Sequence, residues 1–261
     1  NISYHLPADL LPFGIAASIA YAPSTVADAN QSVNNLVASN SGAITAANNT
    51  GAIYTSGTLS NAGRTYSNTA GGAEIAGYVD TRIPREGKWY WEIQVNNWES
   101  SDGTSIGISS KTATAANYEF VNDSGATVGY GYFSNGVVYG NNTSQATGYS
   151  TASGTHIIGV ALNLTDNKIA WSYDGTWQGS TDPGSGNTNM ISITDPASLT
   201  SGTYFPAFSQ KDNSRVLNVN FGSPSFSISS GNSDANGFGN FEYSVPSGYY
   251  ALNTSNLNTY G

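Results

Sequence analysis

Cysteine is absent from all 261 residues. This excludes disulfide staples, zinc ribbons and thiol catalysis, and a chain of this length buries enough surface to fold without bridges, inside or outside a cell. Charge is scarce as well. Only 10% of the residues are Asp, Glu, Lys or Arg, against roughly 25% in ordinary soluble domains. The 8 basic residues form no cluster and the net charge is −9, so nothing matches a phosphate backbone or an anionic lipid surface; no nucleic acid and no membrane insertion are expected. The acids are scattered, without an acidic tail. The longest apolar run, "LLPFGIAASIAYA" at 10–22, contains Pro12 and Gly14. It is too short to span a bilayer and lacks the basic flank of a signal peptide. Methionine occurs once, at Met190, and the numbering opens on Asn1; the chain is expected to be cut from a longer precursor or to lie inside one.

What fills the space is Gly, Asn, Ser, Thr and Tyr, with 30 Gly and 17 Tyr. That mixture suits many short strands joined by tight turns, and it lacks the Leu, Glu, Lys and Arg that long helices favour. Residues 1–51 stand apart: "STVADANQSVNNLVASNSGAITAANNTG" is rich in Ala, Ser and Asn, and only Val26, Val33, Leu36 and Val37 fall at a faint helical spacing. They read as an irregular arm or linker that orders against neighbouring subunits, the alternative being a strand-bearing extension of the same domain. From Ile53 onward the pattern is β, with strands expected at 73–83, 88–96, 105–109, 127–133, 137–139, 155–164, 168–173, 204–209 and 215–221. "SNG" at 134–136 and "YDG" at 173–175 are hairpin turns. Regular short strands without strand–helix alternation indicate an all-β, two-sheet antiparallel sandwich over 52–261.

The stretch "GKWYWEIQVNNWES" at 87–100 concentrates aromatic residues. Alternation puts Trp89, Trp91, Ile93 and Val95 on one face of a strand and Lys88, Tyr90, Glu92, Gln94 and Asn96 on the other. One face is wholly apolar, so both tryptophans belong to a core rather than to a sugar-stacking platform. Glu92 on the polar face is expected to be solvated. Trp98 falls past the alternation and is expected in a loop.

A succession of motifs carries a family resemblance. "GKWYWEIQV", "GTSIGIS", "VGYGYFSNGVVYGNN", "HIIGVALNLTDNKIAWSYDGTWQG", "TYFPAFS" and "VLNVNFG" follow one another in the order of a SPRY domain. "YTSGTLSNAGRTYSN" upstream resembles the opening strand of such modules. "YSVPSGYYALNTSNL" at 243–257 resembles the "P-x-G-[FY]-x-A-L-N-T-x-N-L" ending of the SPRY-like modules in bacteriophage structural proteins. The resemblance spans roughly 53–257. It implies a concanavalin A-like sandwich that holds a partner through loops at one end, with no catalysis and no obligatory cofactor. There are departures: Asn163 in "ALNLTDNK" replaces a usual Asp, "WSYDG" at 171–175 lacks the Lys of the usual hairpin, and insertion-like segments occupy 180–202 and 227–242. These leave partner-binding residues untransferable from the family.

Chemistry is weakly represented. Sandwich glucanases need paired carboxylates, and no such run exists; Glu92 is alone in its strand, Asp80 and Asp166 are isolated. His5 and His156 are the only histidines, and no G-x-S-x-G elbow accompanies them. His156 opens a strand, where a capping or rim role is expected. Neither 99–105 nor 181–189 follows a calcium-loop spacing, and "GYGYFSNG" lacks the Lys of a phosphate loop. No catalytic, cofactor or metal residue is assigned. The candidate contact residues are Trp98, Asp102, Tyr139, Asn141, Asn142, Tyr149, Asp174 and Trp177, aromatics and amides expected at turns or loop edges. Such a set suits subunit packing and glycan stacking alike. The expectation is a non-enzymatic virion structural protein, in a capsid decoration or a fibre. Its partners are other virion subunits, including copies of itself. The alternative is a glycan-binding adhesin that is secreted or at a cell surface.

Overall fold

The structure is a computed structural model and describes residues 44–47, 57–60, 65–68, 75–79, 82–100, 103–110, 121, 128–210 and 215–260. Among them, sixteen strands form two sheets. The first sheet runs in the order β1 (Ile44–Ala47), β4 (Ile75–Val79), β14 (Phe205–Gln210), β6 (Ser105–Ser109), β7 (Gly129–Phe133), β8 (Val138–Gly140), β9 (Thr143–Ala146). The second runs β12 (Thr176–Trp177), β11 (Lys168–Tyr173), β10 (Gly154–Asn163), β5 (Lys88–Trp98), β15 (Arg215–Asn220), β3 (Thr65–Asn68), β2 (Gly57–Ser60). Two short strands join the second sheet from the side: β13 (Ile191–Ser192) on β11 and β16 (Tyr250–Ala251) on β5. All pairings are antiparallel except β16 with β5. This is the expected all-β sandwich.

The inner face of β5 is the centre of the core. Trp89, Trp91, Ile93 and Val95 are each no more than 1% exposed. Burying about 200 Å² of each indole is worth up to roughly 5 kcal/mol per ring at about 25 cal/mol per Å². The Trp171 indole of β11 donates from Nε1 to the carbonyl of Ile106 on β6 at 2.9 Å, a hydrogen bond that ties one sheet to the other through the core.

Three features depart from the expectation. Ile44–Ala47, inside the segment read as an arm, is a strand paired with β4 in the register Ile44↔Val79. Four small and branched residues carry too little periodicity to announce a strand; the rest of the arm, 1–43 and 48–51, lies outside the described residues, as does His5. Trp98 is no loop residue: it ends β5 and is fully buried. Between Val95 and Trp98 β5 carries one residue more than β10 has between His156 and Gly154. This bulge resets the alternation and turns Trp98 back to the core.

Glu92 is the third. The polar face of β5 is not solvated, because the chain beyond β15 folds back over it. Phe241, Tyr249 and Ala251 pack there on Tyr90 and Ala161, all fully buried. β15 pairs with β5 at Glu92–Val95, and β16 takes up the neighbouring place at Trp89 and Tyr90. Beyond it Asn253 caps helix α1 (Thr254–Tyr260), its Oδ1 accepting from the N–H of Asn256 at 3.0 Å. Asp234 knots the segment, accepting from the backbone of Asn236, Phe238 and Ala251 and from the Asn256 amide. The ending "ALNTSNL" is therefore a strand, a cap and the first turn of a helix.

Candidate functional site

Aromatic rings close one end of the sandwich. Trp98 lies 5.1 Å from Tyr132 and 6.3 Å from Tyr173 between ring centroids, Tyr149 lies 5.2 Å from Tyr132, and His156 lies 4.5 Å from Tyr173. They come from β5, β7, β10, β11 and the loop after β9, so the fold rather than the sequence gathers them. Burial raises the Tyr132 and Tyr149 phenols above the usual tyrosine range and pushes Tyr173 up to about 12, so all three hydroxyls stay protonated.

The Tyr132 and Tyr173 hydroxyls hold a loop. Tyr132 donates to the carbonyl of Ser150, and Tyr173 donates to that of Ala152 at 2.8 Å. Gln178 Oε1 accepts from the Ser150 N–H at 2.9 Å and from its hydroxyl at 3.1 Å. The N–H of Tyr149 reaches the carbonyl of Gly136 in the β7–β8 turn at 3.1 Å. Gly136 has φ +82°, and a Cβ there would sit 2.7 Å from the Tyr149 carbonyl oxygen, so the close approach requires glycine. Above these anchors Thr147, Gly148, Thr151, Ala152 and Ser153 are exposed. The loop lies within residues 124–165, which contain no Asp, Glu, Lys or Arg. It is a preorganised, uncharged surface.

Asp174 sits at its border, in the β11–β12 turn, with φ +45°. Its Oδ2 is 2.7 Å from His156 Nδ1, which donates, and its Oδ1 accepts from the N–H of Ile157 at 2.9 Å. His156 Nε2 is buried without a partner, and a Cβ at Gly154 would lie 3.3 Å from it. The pair works as a strap between β10 and β11, with the Asp174 carboxylate partly exposed at the rim. Trp177, next along, is half-buried with its ring 6.4 Å from Tyr90.

The structure divides the remaining candidates. Asn141 and Asn142, with φ +49° and +62°, form the exposed β8–β9 turn at the opposite end of β7, where the Asn141 amide donates to the Tyr130 hydroxyl at 3.2 Å. Tyr139 is half-buried on the outer face of the first sheet, 5.1 Å from Phe133. Asp102 lies outside the described residues. Trp98 and Tyr149 belong to the packing beneath the loop: they position it and present no free ring face. Tyr132, Tyr173 and Gln178 gave no signal as loop holders, since their partners are backbone carbonyls and N–H groups far along the chain.

Glu92 is the buried carboxylate nearest to looking catalytic. It is fully buried and takes four donors: Tyr90 Oη–H at 3.0 Å, Asn220 Nδ2–H at 3.2 Å, and the N–H groups of Glu242 at 3.0 Å and Tyr243 at 2.9 Å. Burial pushes its pKa up, while these donors oppose the shift. With both oxygens engaged by the protein, it fastens the returning C-terminal segment to β5. Among the described residues no three His, Asp or Glu groups converge as a metal site.

A model of the SPRY domain family matches residues 88–224, more than half of the chain. The chain belongs to the SPRY family. SPRY domains are protein-interaction modules and generally carry no catalysis. Solved structures similar to this SPRY chain include the SPRY domain of human HERC1, 14% identical over 62% of this chain and 91% of that one, with a TM-score of 0.46. The TRIM65 PSpry domain is 12% identical over 67% and 90%, TM-score 0.43. A human SPRY domain is 13% identical over 63% and 94%, TM-score 0.41. No curated protein matches the chain. The SPRY match stops at 224, so the C-terminal segment that covers the outer face of β5 lies beyond it.

Proposed function

We propose that this SPRY domain is a non-enzymatic contact module of a virus particle, in a capsid decoration or a tail fibre, and that it docks a protein partner on the 147–153 loop and the neighbouring β11–β12 turn. The loop geometry carries the reading: three side chains from two strands and a turn fix an exposed segment, so little ordering entropy is lost on docking. The uncharged surface favours a partner that is itself uncharged at the contact, including a second copy of a chain whose like charges repel elsewhere. The virion assignment is supported by the ending "YSVPSGYYALNTSNL", which resembles phage modules; residues 1–43, ahead of β1, would hold the domain to neighbouring subunits. The half-exposed Trp177 beside Asp174 favours a second reading, a host glycan stacked on the indole.

Particles assembled with Thr151→Lys and Ser153→Lys test the first reading. The expected result is an unchanged melting curve with loss of the chain from the particle. Normal incorporation contradicts the loop as the docking surface. A glycan array separates the second reading: binding abolished by Trp177→Ala supports it, and no binding at millimolar glycan removes it.

A further inference from the structure

The chain contains two Asn–Gly bonds, Asn135–Gly136 and Asn236–Gly237, and both sit in turns of the same backbone design. In the β7–β8 turn the N–H of Gly136 donates to the carbonyl of Phe133 at 2.9 Å, and the N–H of Phe133 to that of Val137 at 2.9 Å. In the C-terminal segment the N–H of Gly237 donates to the carbonyl of Asp234 at 2.9 Å, and the N–H of Asp234 to that of Phe238 at 2.8 Å. Gly136 has φ +82° and Gly237 φ +78°. Both asparagines are exposed. A difference in reactivity between the two bonds must then come from the side chains around them.

Those side chains differ. Asn135 Oδ1 accepts from the N–H of Val137, two residues on, at 3.0 Å. The bond folds the side-chain amide back over its own turn and polarises its carbonyl. Asn135 Nδ2, the leaving group in a deamidation, has no hydrogen-bond partner among the described residues. In the second turn the corresponding N–H, that of Phe238, goes to Asp234 Oδ1 at 3.0 Å, which also accepts from the Asn236 N–H at 2.9 Å. The Asn236 amide is held elsewhere: its Nδ2 donates to Asn256 Oδ1 at 2.9 Å and to the Tyr260 hydroxyl at 3.4 Å. A carboxylate within that turn also disfavours loss of the Gly237 amide proton. The first turn is the floor of the docking loop. The Gly136 carbonyl accepts from the Tyr149 N–H, and a Cβ at 136 would meet the Tyr149 carbonyl oxygen at 2.7 Å and Thr151 Cγ2 at 2.8 Å.

We propose that Asn135 is a site of spontaneous deamidation and that its conversion disables the 147–153 loop above it. The amide nitrogen of Gly136, its proton lost to hydroxide, attacks Asn135 Cγ; glycine leaves that approach uncrowded. The N–Cγ bond forms and the Cγ–Nδ2 bond breaks. Ammonia leaves, taking a proton from water and returning the hydroxide. A second water opens the succinimide at either carbonyl, giving aspartate or isoaspartate. Both products put a negative charge into 124–165, a stretch without Asp, Glu, Lys or Arg, on a chain of net charge −9. Isoaspartate also adds a methylene to the main chain next to Gly136, where Tyr149 is anchored. The effect on docking rests on the function proposed above; the reactive site itself does not.

The test ages the full chain in mildly alkaline buffer and follows its intact mass, with peptide mapping to place each gain of about 1 Da. Position 135 is expected to convert roughly tenfold faster than position 236, whose amide must first leave its partners. Equal rates, or faster conversion at 236, overturn the site. This comparison within the unmutated chain decides the site even where a variant fails to fold. Asn135→Gln, whose longer side chain disfavours the five-membered ring, is expected to stop the gain of mass at 135. Aged wild-type chain should then be incorporated into particles several-fold less than fresh chain, while aged Asn135→Gln is incorporated as before. Equal incorporation of aged and fresh wild type, where Thr151→Lys is excluded, overturns the effect on docking. Normal incorporation of Thr151→Lys as well places the failure in the loop reading instead, and the mass comparison still decides the site.

Discussion

The two faces of β5 are made by the same eleven residues and solve opposite problems. The inner face packs Trp89, Trp91, Ile93 and Val95 against the first sheet with no polar atoms to satisfy beyond the indole nitrogens. The outer face carries Tyr90 and Glu92, equally buried; the Tyr90 hydroxyl donates to Glu92 within the strand, and the carboxylate takes its other donors from β15 and the C-terminal segment. The first face is stabilised by area removed from water and tolerates any partner of suitable shape. The second depends on particular donors 128 to 151 residues away in sequence. A strand can thus be the hydrophobic centre of a sandwich on one side and an electrostatic anchor on the other.

The largest effect should come from the inner face. Trp91→Ala leaves a cavity at the centre of the core, and a loss of about 3–5 kcal/mol is expected in denaturant unfolding. The outer face should respond more weakly but specifically. Glu92→Gln replaces one acceptor oxygen by an N–H₂ that must face a donor, and a loss of about 2–3 kcal/mol is expected. Proteolysis should then begin between 228 and 245 before the sandwich unfolds. The cap at the end of the same segment is a milder probe: Asn253→Ala should lower stability by about 1 kcal/mol.

The smallest effect is a pH dependence. Burial raises the folded-state pKa of Glu92 above its ordinary value of 4.5, so the folded chain holds that proton more tightly than the unfolded one. Its contribution to stability therefore falls as pH rises from about 4.5 through the folded value, then levels. In the difference between wild type and Glu92→Gln this decline should be visible by calorimetry. An opposite slope would mean that the four donors outweigh desolvation.

Alternation made the inner face of β5 legible from sequence, and β6 and β11 were legible to the residue, because each is an apolar run bounded by turn residues. Glu92 was not, since nothing local records that a distant segment returns to cover it. Trp98 was misplaced for a related reason: a one-residue bulge inverts faces, and a bulge has no sequence signature here. β1 and β9 are four residues each and too polar or too small to show a period. Of the candidate contacts, Asp174 lies in the β11–β12 turn and Trp177 in β12, both near the loop. Tyr149 is in that loop but turned inward, and Asn141 and Asn142 are at the far end. Distances along the chain were readable; which aromatic faces water was not.

The C-terminal segment of the chain covers the outer face of β5, and the docking surface proposed here is the loop end. Hydroxyl-radical footprinting of the isolated chain and of the assembled particle tests this directly. The predicted result is protection on assembly at 147–153 and 174–177, with 228–260 equally labelled in both. Protection confined to 228–260, with the loop left reactive, would contradict it.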